Sequence, residues 1–91
     1  MRLEIRPNAQ DTLGKLPEEE QAEVLAALEK IPAAFGRPHV HSGLDIRQLR
    51  PVVYEARAGL KMRVVFTRAA DVLKVQILGN HDDVRRYLRG L

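Results

Sequence analysis

The sequence predicts an α+β fold in a single domain spanning residues 1–91, with the element order β-α-α-β-β-β-β-α. A helical hydrophobic period follows one short strand near the N-terminus. Four short strand-like segments then succeed one another, separated by turn residues. The chain closes with a helix N-cap signal and a charged segment. Consecutive strands favour a mostly antiparallel, twisted sheet, with the N-terminal helical hairpin packed on one face and a short C-terminal helix.

Prolines divide the N-terminal elements. Residues 2–6 alternate polar and apolar side chains, as a half-buried strand does, and Pro7 is predicted to end that strand. Residues 8–16 fit a short helix. Pro17 suits the first position of a second helix, whose first turn holds three glutamates where the helix dipole favours anions. Pro32 is predicted to close this helix. Its apolar side chains recur at helical spacing: Val24, Leu28 and Ile31.

The C-terminal half contains the other strands and the last helix. A loop is predicted over residues 33–43, and Ala58-Gly59 and Ala70-Asp71 supply two of the later turns. Asn80 is a good N-cap for the final helix, and Asp83 follows three residues later. The four predicted strands cover about 44–50, 52–58, 61–67 and 72–79.

Alternating apolar side chains predict how the two central strands pair. Each strand has one apolar face, and if both faces meet one core, Tyr54 lies beside Phe66. A slip of one residue would put an apolar set in water. This register places Arg57 beside Arg63, with Glu55 next along, on the face away from the helical hairpin.

Two adjacent arginines repel each other unless something anionic lies between them, and two interpretations follow. A phosphodiester could bridge them, because guanidinium groups match phosphate oxygens in a bidentate fashion. Alternatively, Glu55 forms a cross-strand pair that only makes the sheet face soluble. A wider positive surface would include Arg47, Lys61 and Lys74, each of which could also be an ordinary solvated side chain.

His81 is the other candidate for chemistry. It falls just after a predicted strand, in the first turn of the last helix, and imidazole is the usual proton donor or acceptor near neutral pH. The competing interpretation is that His81 only caps or packs the helix. His39 and His41 could join it around a metal ion, but nothing else in the sequence supports a metal site, so we expect neither metal nor cofactor.

Charge and composition narrow the classes of function. Residues 1–43 hold five Lys or Arg against seven Asp or Glu, a net of −2, whereas residues 44–91 hold ten against five, a net of +5. A basic C-terminal half suggests a surface that binds a polyanion. The chain has no cysteine, and no apolar run approaches the ~20 residues that span a bilayer. We therefore expect a cytoplasmic protein with no membrane contact.

The ordered motifs resemble those of the RelE/ParE toxin superfamily, and within it the RelE-like, YafQ-like mRNA interferases. The resemblance covers nearly the whole chain. It rests on Leu49, the strand Val53-Tyr-Glu-Ala-Arg57, the strand Met62-Arg-Val-Val-Phe66 and the run Val75-Gln-Ile-Leu-Gly-Asn-His81. The segment Gly79-Asn-His-Asp-Asp83 is similar to the end of YafQ-like members.

The resemblance implies roles for individual residues. Arg63 matches the strand arginine that holds the scissile phosphate, His81 the proposed general acid, and Arg57 a second basic position that is histidine in YafQ-like members. In YafQ-like chains, the aromatic residue used for base stacking comes four residues after the histidine. This chain has Arg85 at that position, and its nearby aromatic residue, Tyr87, comes two residues later. The lysine-rich catalytic strand of RelE itself is absent. These departures leave the general base unassigned. The RNA-binding set is then Arg47, Glu55, Lys61, Lys74, Arg85 and Tyr87.

The resemblance also implies partners. Such toxins cut mRNA on the ribosome, so mRNA and ribosomal RNA are expected ligands. A cognate antitoxin is the expected protein partner, and DNA would be contacted only indirectly, through that antitoxin. Two alternatives remain on the same fold: a ParE-like inhibitor of DNA gyrase, which needs no catalytic histidine, and a binding protein whose active site has decayed.

Overall fold

The computed structural model describes residues 1–37 and 43–91 and confirms the predicted order of elements. Two helices follow the first strand, four strands come next, and a third helix ends the chain. The elements are β1 (Arg2–Ile5), α1 (Pro7–Lys15), α2 (Glu18–Ala34), β2 (Arg47–Arg50), β3 (Val53–Ala58), β4 (Met62–Ala69), β5 (Val72–Gly79) and α3 (His81–Arg89).

The five strands form one mixed sheet in the order β1-β5-β4-β3-β2. Strands β2 to β5 pair antiparallel with their neighbours in sequence, as the short turns between them require. Strand β1 instead lies at one edge of the sheet and pairs parallel with β5. The two helices that follow β1 carry the chain to β2 at the opposite edge. The predicted register of β3 and β4 is confirmed, with Tyr54 opposite Phe66 and Arg57 opposite Arg63.

Both faces of the sheet are covered, but by different helices. The larger core lies beneath the hairpin of α1 and α2, where the predicted apolar face of α2 is buried against β3 and β4. A smaller core lies on the opposite face, where Val84 of α3 packs on Val53 and Val65. The largest fully buried side chains are Phe66, Ile31, Leu73, Val24, Val64, Val65 and Val75.

The prolines act differently from the prediction at three positions. Pro17 was expected at the first position of α2 but is its N-cap, because the helix begins at Glu18. Pro7 does follow β1, but it is also the first residue of α1, where its missing N–H costs nothing because that group has no partner inside a helix. Pro32 was predicted to close α2, and this is wrong because the helix continues to Ala34. A proline removes one backbone hydrogen bond of the ladder, to the carbonyl of Leu28. Burial of Ile31 and Ala34 offsets that loss over the last turn.

Strand β5 contains a β-bulge at Gln76. Val65 pairs with Ile77 while the next residue, Phe66, pairs with Val75, so Gln76 is the extra residue. The bulge changes which face each later side chain meets: Val75 and Leu78 both lie in the larger core, whereas Ile77 packs beneath α3. Polar groups hold the bulge, because Gln76 Nε2 donates to Thr67 Oγ1 at 3.0 Å and Asn8 Nδ2 donates to the Gln76 carbonyl at 2.9 Å. The sequence prediction did not include this irregularity.

Candidate functional site

Three central strands bring the strongest candidates to one end of the sheet. Arg57 of β3 pairs with Arg63 of β4, and Arg63 pairs in turn with Gly79 of β5. Helix α3 begins at His81, two residues beyond Gly79. The antiparallel ladder therefore places Arg57, Arg63 and Gly79 in one row across the strands. His81 lies two residues beyond Gly79 along the chain.

The two arginines are unneutralised in the part of the chain that the structure describes. Arg57 is exposed and Arg63 is half-buried. Among the described residues, the Arg63 guanidinium donates a single hydrogen bond, from Nη1 to the Met62 carbonyl at 3.3 Å. Within residues 1–37 and 43–91, neither guanidinium forms an ion pair with a carboxylate. Like charges directly opposite each other destabilise a strand pair. This row therefore has an electrostatic reason to bind an anion.

Glu55 does form a cross-strand ion pair, as one interpretation of the sequence held, but its partner is neither Arg57 nor Arg63. Its carboxylate binds Arg47 of the neighbouring strand β2 instead, accepting from Arg47 Nε at 3.0 Å. The reason is the register, which sets Glu55 opposite Arg47 on one side and Val65 on the other. Among the described residues Glu55 is the buried charged side chain, at 3% exposure. Its hydrogen bond and charge raise the pKa of Arg47.

His81 is exposed and has no part in capping its helix. The capping box is formed by Asn80 and Asp83: the Asp83 N–H donates to Asn80 Oδ1, and the Asn80 N–H donates to Asp83 Oδ2, both at 2.9 Å. Gly79 makes room for this arrangement, because a Cβ there would lie 2.5 Å from Asp83 Oδ2. The interpretation that His81 caps the helix is therefore wrong, and its imidazole is available at the surface.

Helix α3 presents its two flanks to different surroundings. Tyr87 and Asp83 line a groove of about 440 Å³ together with Asn8 and Thr12 of α1. Tyr87 also packs into the smaller core. Successive residues of a helix are rotated by ~100°, so His81 and Arg85 lie on the other flank, away from α1. Tyr87 is thus not beside His81, whereas Arg85 shares the flank of His81.

Comparison with solved structures identifies the fold. A chain of the RelB–RelE antitoxin–toxin complex from Methanococcus jannaschii superposes with a TM-score of 0.69 at 13% identity, covering 92% of this chain and 96% of that one. A chain of the archaeal RelE–RelB complex from Pyrococcus horikoshii OT3 gives 0.66 at 22% identity, with coverages of 87% and 92%. The chain has the RelE-like toxin fold. YafQ from E. coli strain BL21(DE3) gives 0.63 at 8% identity, with coverages of 92% and 98%.

Sequence-based comparison does not reach these relatives. No family model matches the chain, and no curated protein matches it either. The likeness therefore lies in the order and packing of the elements rather than in residue identity.

The two lysines predicted to bind RNA, Lys61 and Lys74, lie at different distances from the row of Arg57 and Arg63. Lys61 is exposed in the β3–β4 turn, two residues before Arg63, and therefore borders the row. Lys74 pairs with Thr67 and with Glu4 of β1, five residues before Gly79. At ~3.3 Å per residue this is about 17 Å away. The structure thus brings Lys61 to the site and leaves Lys74 outside it.

No metal-binding cluster of three or more His, Asp or Glu side chains occurs in residues 1–37 and 43–91 of the RelE-like fold. His39 and His41, which the sequence offered as possible metal ligands, lie outside the described residues. None of the helices described is both long and apolar enough to cross a membrane.

One exposed residue near the site escaped the sequence analysis. Leu60 stands at the tip of the β3–β4 turn with 91% of its surface exposed. Its signal in the sequence is a large apolar residue directly after Gly59 in a turn, where polar residues are usual.

Proposed function

We propose that this protein is the toxin of a type II toxin–antitoxin pair and that it acts as a ribosome-dependent mRNA endoribonuclease. The observation that carries the proposal is the row of Arg57 and Arg63, without a carboxylate partner among the described residues, beside the exposed His81. A protein that merely needed a soluble sheet face would gain from a neutralising partner at this row. The fold supports the same proposal, because the structures it resembles include toxin–antitoxin complexes.

The chemistry is an internal transesterification of RNA. The 2′-oxygen of one nucleotide attacks the adjacent phosphorus, and the bond from phosphorus to the 5′-oxygen of the next nucleotide breaks. The products are a 2′,3′-cyclic phosphate and a 5′-hydroxyl. The 2′-hydroxyl loses its proton to a base, and the departing 5′-oxygen gains one from an acid.

Each side chain at the end of the sheet has a distinct part in this scheme. Arg63 is half-buried, and its guanidinium would stabilise the extra negative charge of the pentacoordinate phosphorus. Arg57, exposed on the neighbouring strand, would hold a second phosphate oxygen or the next phosphate. His81 would protonate the 5′-oxygen, for which its exposed position in the first turn of α3 is suitable.

A wider set of basic residues would hold the RNA in place. Arg47 is fixed by the buried Glu55 yet leaves 58% of its side chain exposed, so it can offer a preorganised guanidinium to a phosphate. Lys61 borders the arginine row, and Arg85 shares the flank of α3 that carries His81. Ribosomal RNA would contact the surface beyond these residues. Glu55 thus acts by positioning Arg47 and not by touching RNA.

A cognate antitoxin is the proposed protein partner. The RelE–RelB and YoeB–YefM structures that this fold resembles are complexes of this kind. An antitoxin segment that covers the positive end of the sheet would keep RNA away from it.

Primer extension on a reporter mRNA tests the function. The wild-type chain, an Arg63→Ala variant and an Arg2→Ala control are each induced briefly, beside either a translated reporter or one whose start codon has been removed. Arg2 lies on the edge strand β1 and pairs with Glu4, well away from the site. We expect discrete cuts with wild type and Arg2→Ala in the translated reporter only, and few or none with Arg63→Ala in either reporter. Intact mRNA together with gyrase-dependent DNA damage would instead identify a ParE-like inhibitor.

A further inference from the structure

The β3–β4 turn carries an unusually exposed apolar side chain. Leu60 is 91% exposed, whereas the other exposed large apolar residues of the described chain lie between 44% and 65%. Placing a leucine fully in water gives up the free energy that its burial would contribute. Polar residues are usual at exposed turn positions, and at 91% exposure the leucine side chain adds nothing to either core of the fold.

The turn beneath Leu60 is firmly held. Ala58 and Met62 pair across the base of the turn, and both are buried in the larger core. Gly59 adopts a φ of +80°, which favours glycine, and a Cβ there would lie 2.5 Å from Glu23 Oε2 of α2. The backbone that carries Leu60 is therefore anchored on both sides. Its side chain is presented to solvent at a defined place.

That place adjoins the arginine row. Arg57 and Arg63 are each three residues from Leu60 along the two arms of the hairpin, which is about 10 Å at strand spacing. Lys61, the next residue, is exposed. An apolar side chain thus projects just beyond a pair of cations that have no carboxylate partner among the described residues. The combination of cations for phosphates and an apolar contact for a base is what single-stranded nucleic acid requires.

We propose that Leu60 packs against a base of the bound RNA, next to the phosphate held by Arg57 and Arg63. This inference rests on the proposed function, because it takes RNA as the ligand. Leucine is among the side chains that insert between bases, and every base has an apolar face. The contact would therefore set the position of the strand in the site without selecting one base.

The test measures RNA binding by the full chain. The probe is a short mRNA that carries 2-aminopurine near the cut position and 2′-O-methyl riboses, which cannot attack the phosphate. It is titrated both free and bound in a ribosome complex. Leu60→Ala removes about three carbons from one side of a base, so we expect Kd to rise about five- to tenfold with less quenching of the probe. Leu25→Ala, which trims a leucine of α2 that is 50% exposed, is the matched control and should leave Kd unchanged.

The dependence of binding on salt separates an apolar contact from a general loss of affinity. Leu60→Ala should keep the slope of log K against log salt, whereas Lys61→Gln should reduce its magnitude by about 0.7 if Lys61 contacts one phosphate. If the wild-type chain binds the RNA and the Kd of Leu60→Ala lies within twofold of the wild-type Kd, the role of Leu60 is overturned and the proposed function is not. A changed salt slope in Leu60→Ala would also overturn it. A wild-type chain that binds neither form of the RNA would overturn the proposed function itself.

Discussion

Replacing Arg47 by alanine is expected to destabilise the protein more than replacing its partner Glu55 by glutamine, although both changes break the same ion pair. The reason is the unequal burial of the partners. Glu55 is 3% exposed, whereas the Arg47 side chain is 58% exposed. Without Glu55, the guanidinium returns to water at little cost. Without Arg47, a carboxylate stays in the sheet with its ion partner gone.

The magnitudes follow from that difference. A buried charge that loses its hydrogen-bonding partner costs more than the 1–3 kcal/mol of a neutral group, and partial access of water through the vacated space offsets some of it. We expect Arg47→Ala to lower the free energy of unfolding by about 2–3 kcal/mol. For a chain of this size that is roughly 8–24 °C in Tm. Glu55→Gln keeps an amide oxygen for Arg47 and should cost about 1 kcal/mol or less.

Thermal and urea unfolding followed by circular dichroism measures both variants, with Arg50→Ala as the control. Arg50 lies on the same strand, is exposed, and within residues 1–37 and 43–91 donates only to the carbonyl of Leu49. It should change stability by less than about 0.5 kcal/mol. The double variant Arg47→Ala with Glu55→Gln should be more stable than Arg47→Ala alone, because the stranded charge is gone. Equal losses in the two single variants, or strictly additive losses in the double variant, would refute the argument from burial.

Three other predictions concern the site and the turns. Arg63→Ala should slow ribosome-dependent cleavage by about 10²–10³-fold while changing the free energy of unfolding by less than about 1 kcal/mol; full cleavage would remove Arg63 from the mechanism, and unfolding would make it structural. His81→Gln should slow single-turnover cleavage by about 10²–10⁴-fold with an unchanged ribosome-binding curve, and a rate equal to that of wild type would contradict an acid role. Val52→Gly should stabilise the chain by about 0.5–1 kcal/mol in urea unfolding, because valine is held at a φ of +56° in the β2–β3 turn. Val52→Ala, which keeps the strain, should give no such gain.

The sequence was sufficient for the parts of the fold that depend on local pattern. Alternation along two adjacent strands fixed their register, because the apolar sets of both have to meet the same core. The opposed pair Arg57 and Arg63 follows from that register alone. The N-cap at Asn80 was likewise readable, since its partner Asp83 lies three residues along the chain.

What the sequence could not supply depends on strands that are distant along the chain. Nothing local states that β1 pairs with β5, so the parallel edge of the sheet was not predicted. The partner of Glu55 is set by β2, whose pairing with β3 is irregular and shifts register around Leu49. The sequence predicted that α2 ends at Pro32, because proline disfavours the interior of a helix. Burial of Ala34 in the last turn, which no local pattern shows, favours continuing the helix past Pro32. The roles of Arg63 and His81 in chemistry remain predictions.

The bulge in β5 has a consequence for how such chains can change in length. Side chains before Gln76 and those after it alternate out of phase, because this single extra residue is unpaired in the ladder with β4. Deleting Gln76 would join Val75 directly to Ile77 and leave every pair of the ladder in place, so Ile77 would still face α3 and Leu78 the helical hairpin. The arginine row would keep Gly79 as its third member, and α3 would start from the same side of the sheet. A one-residue deletion at this position would thus be tolerated better than the loss of any paired residue of β5, and its cost would be the hydrogen bonds that Gln76 makes with Thr67 and Asn8.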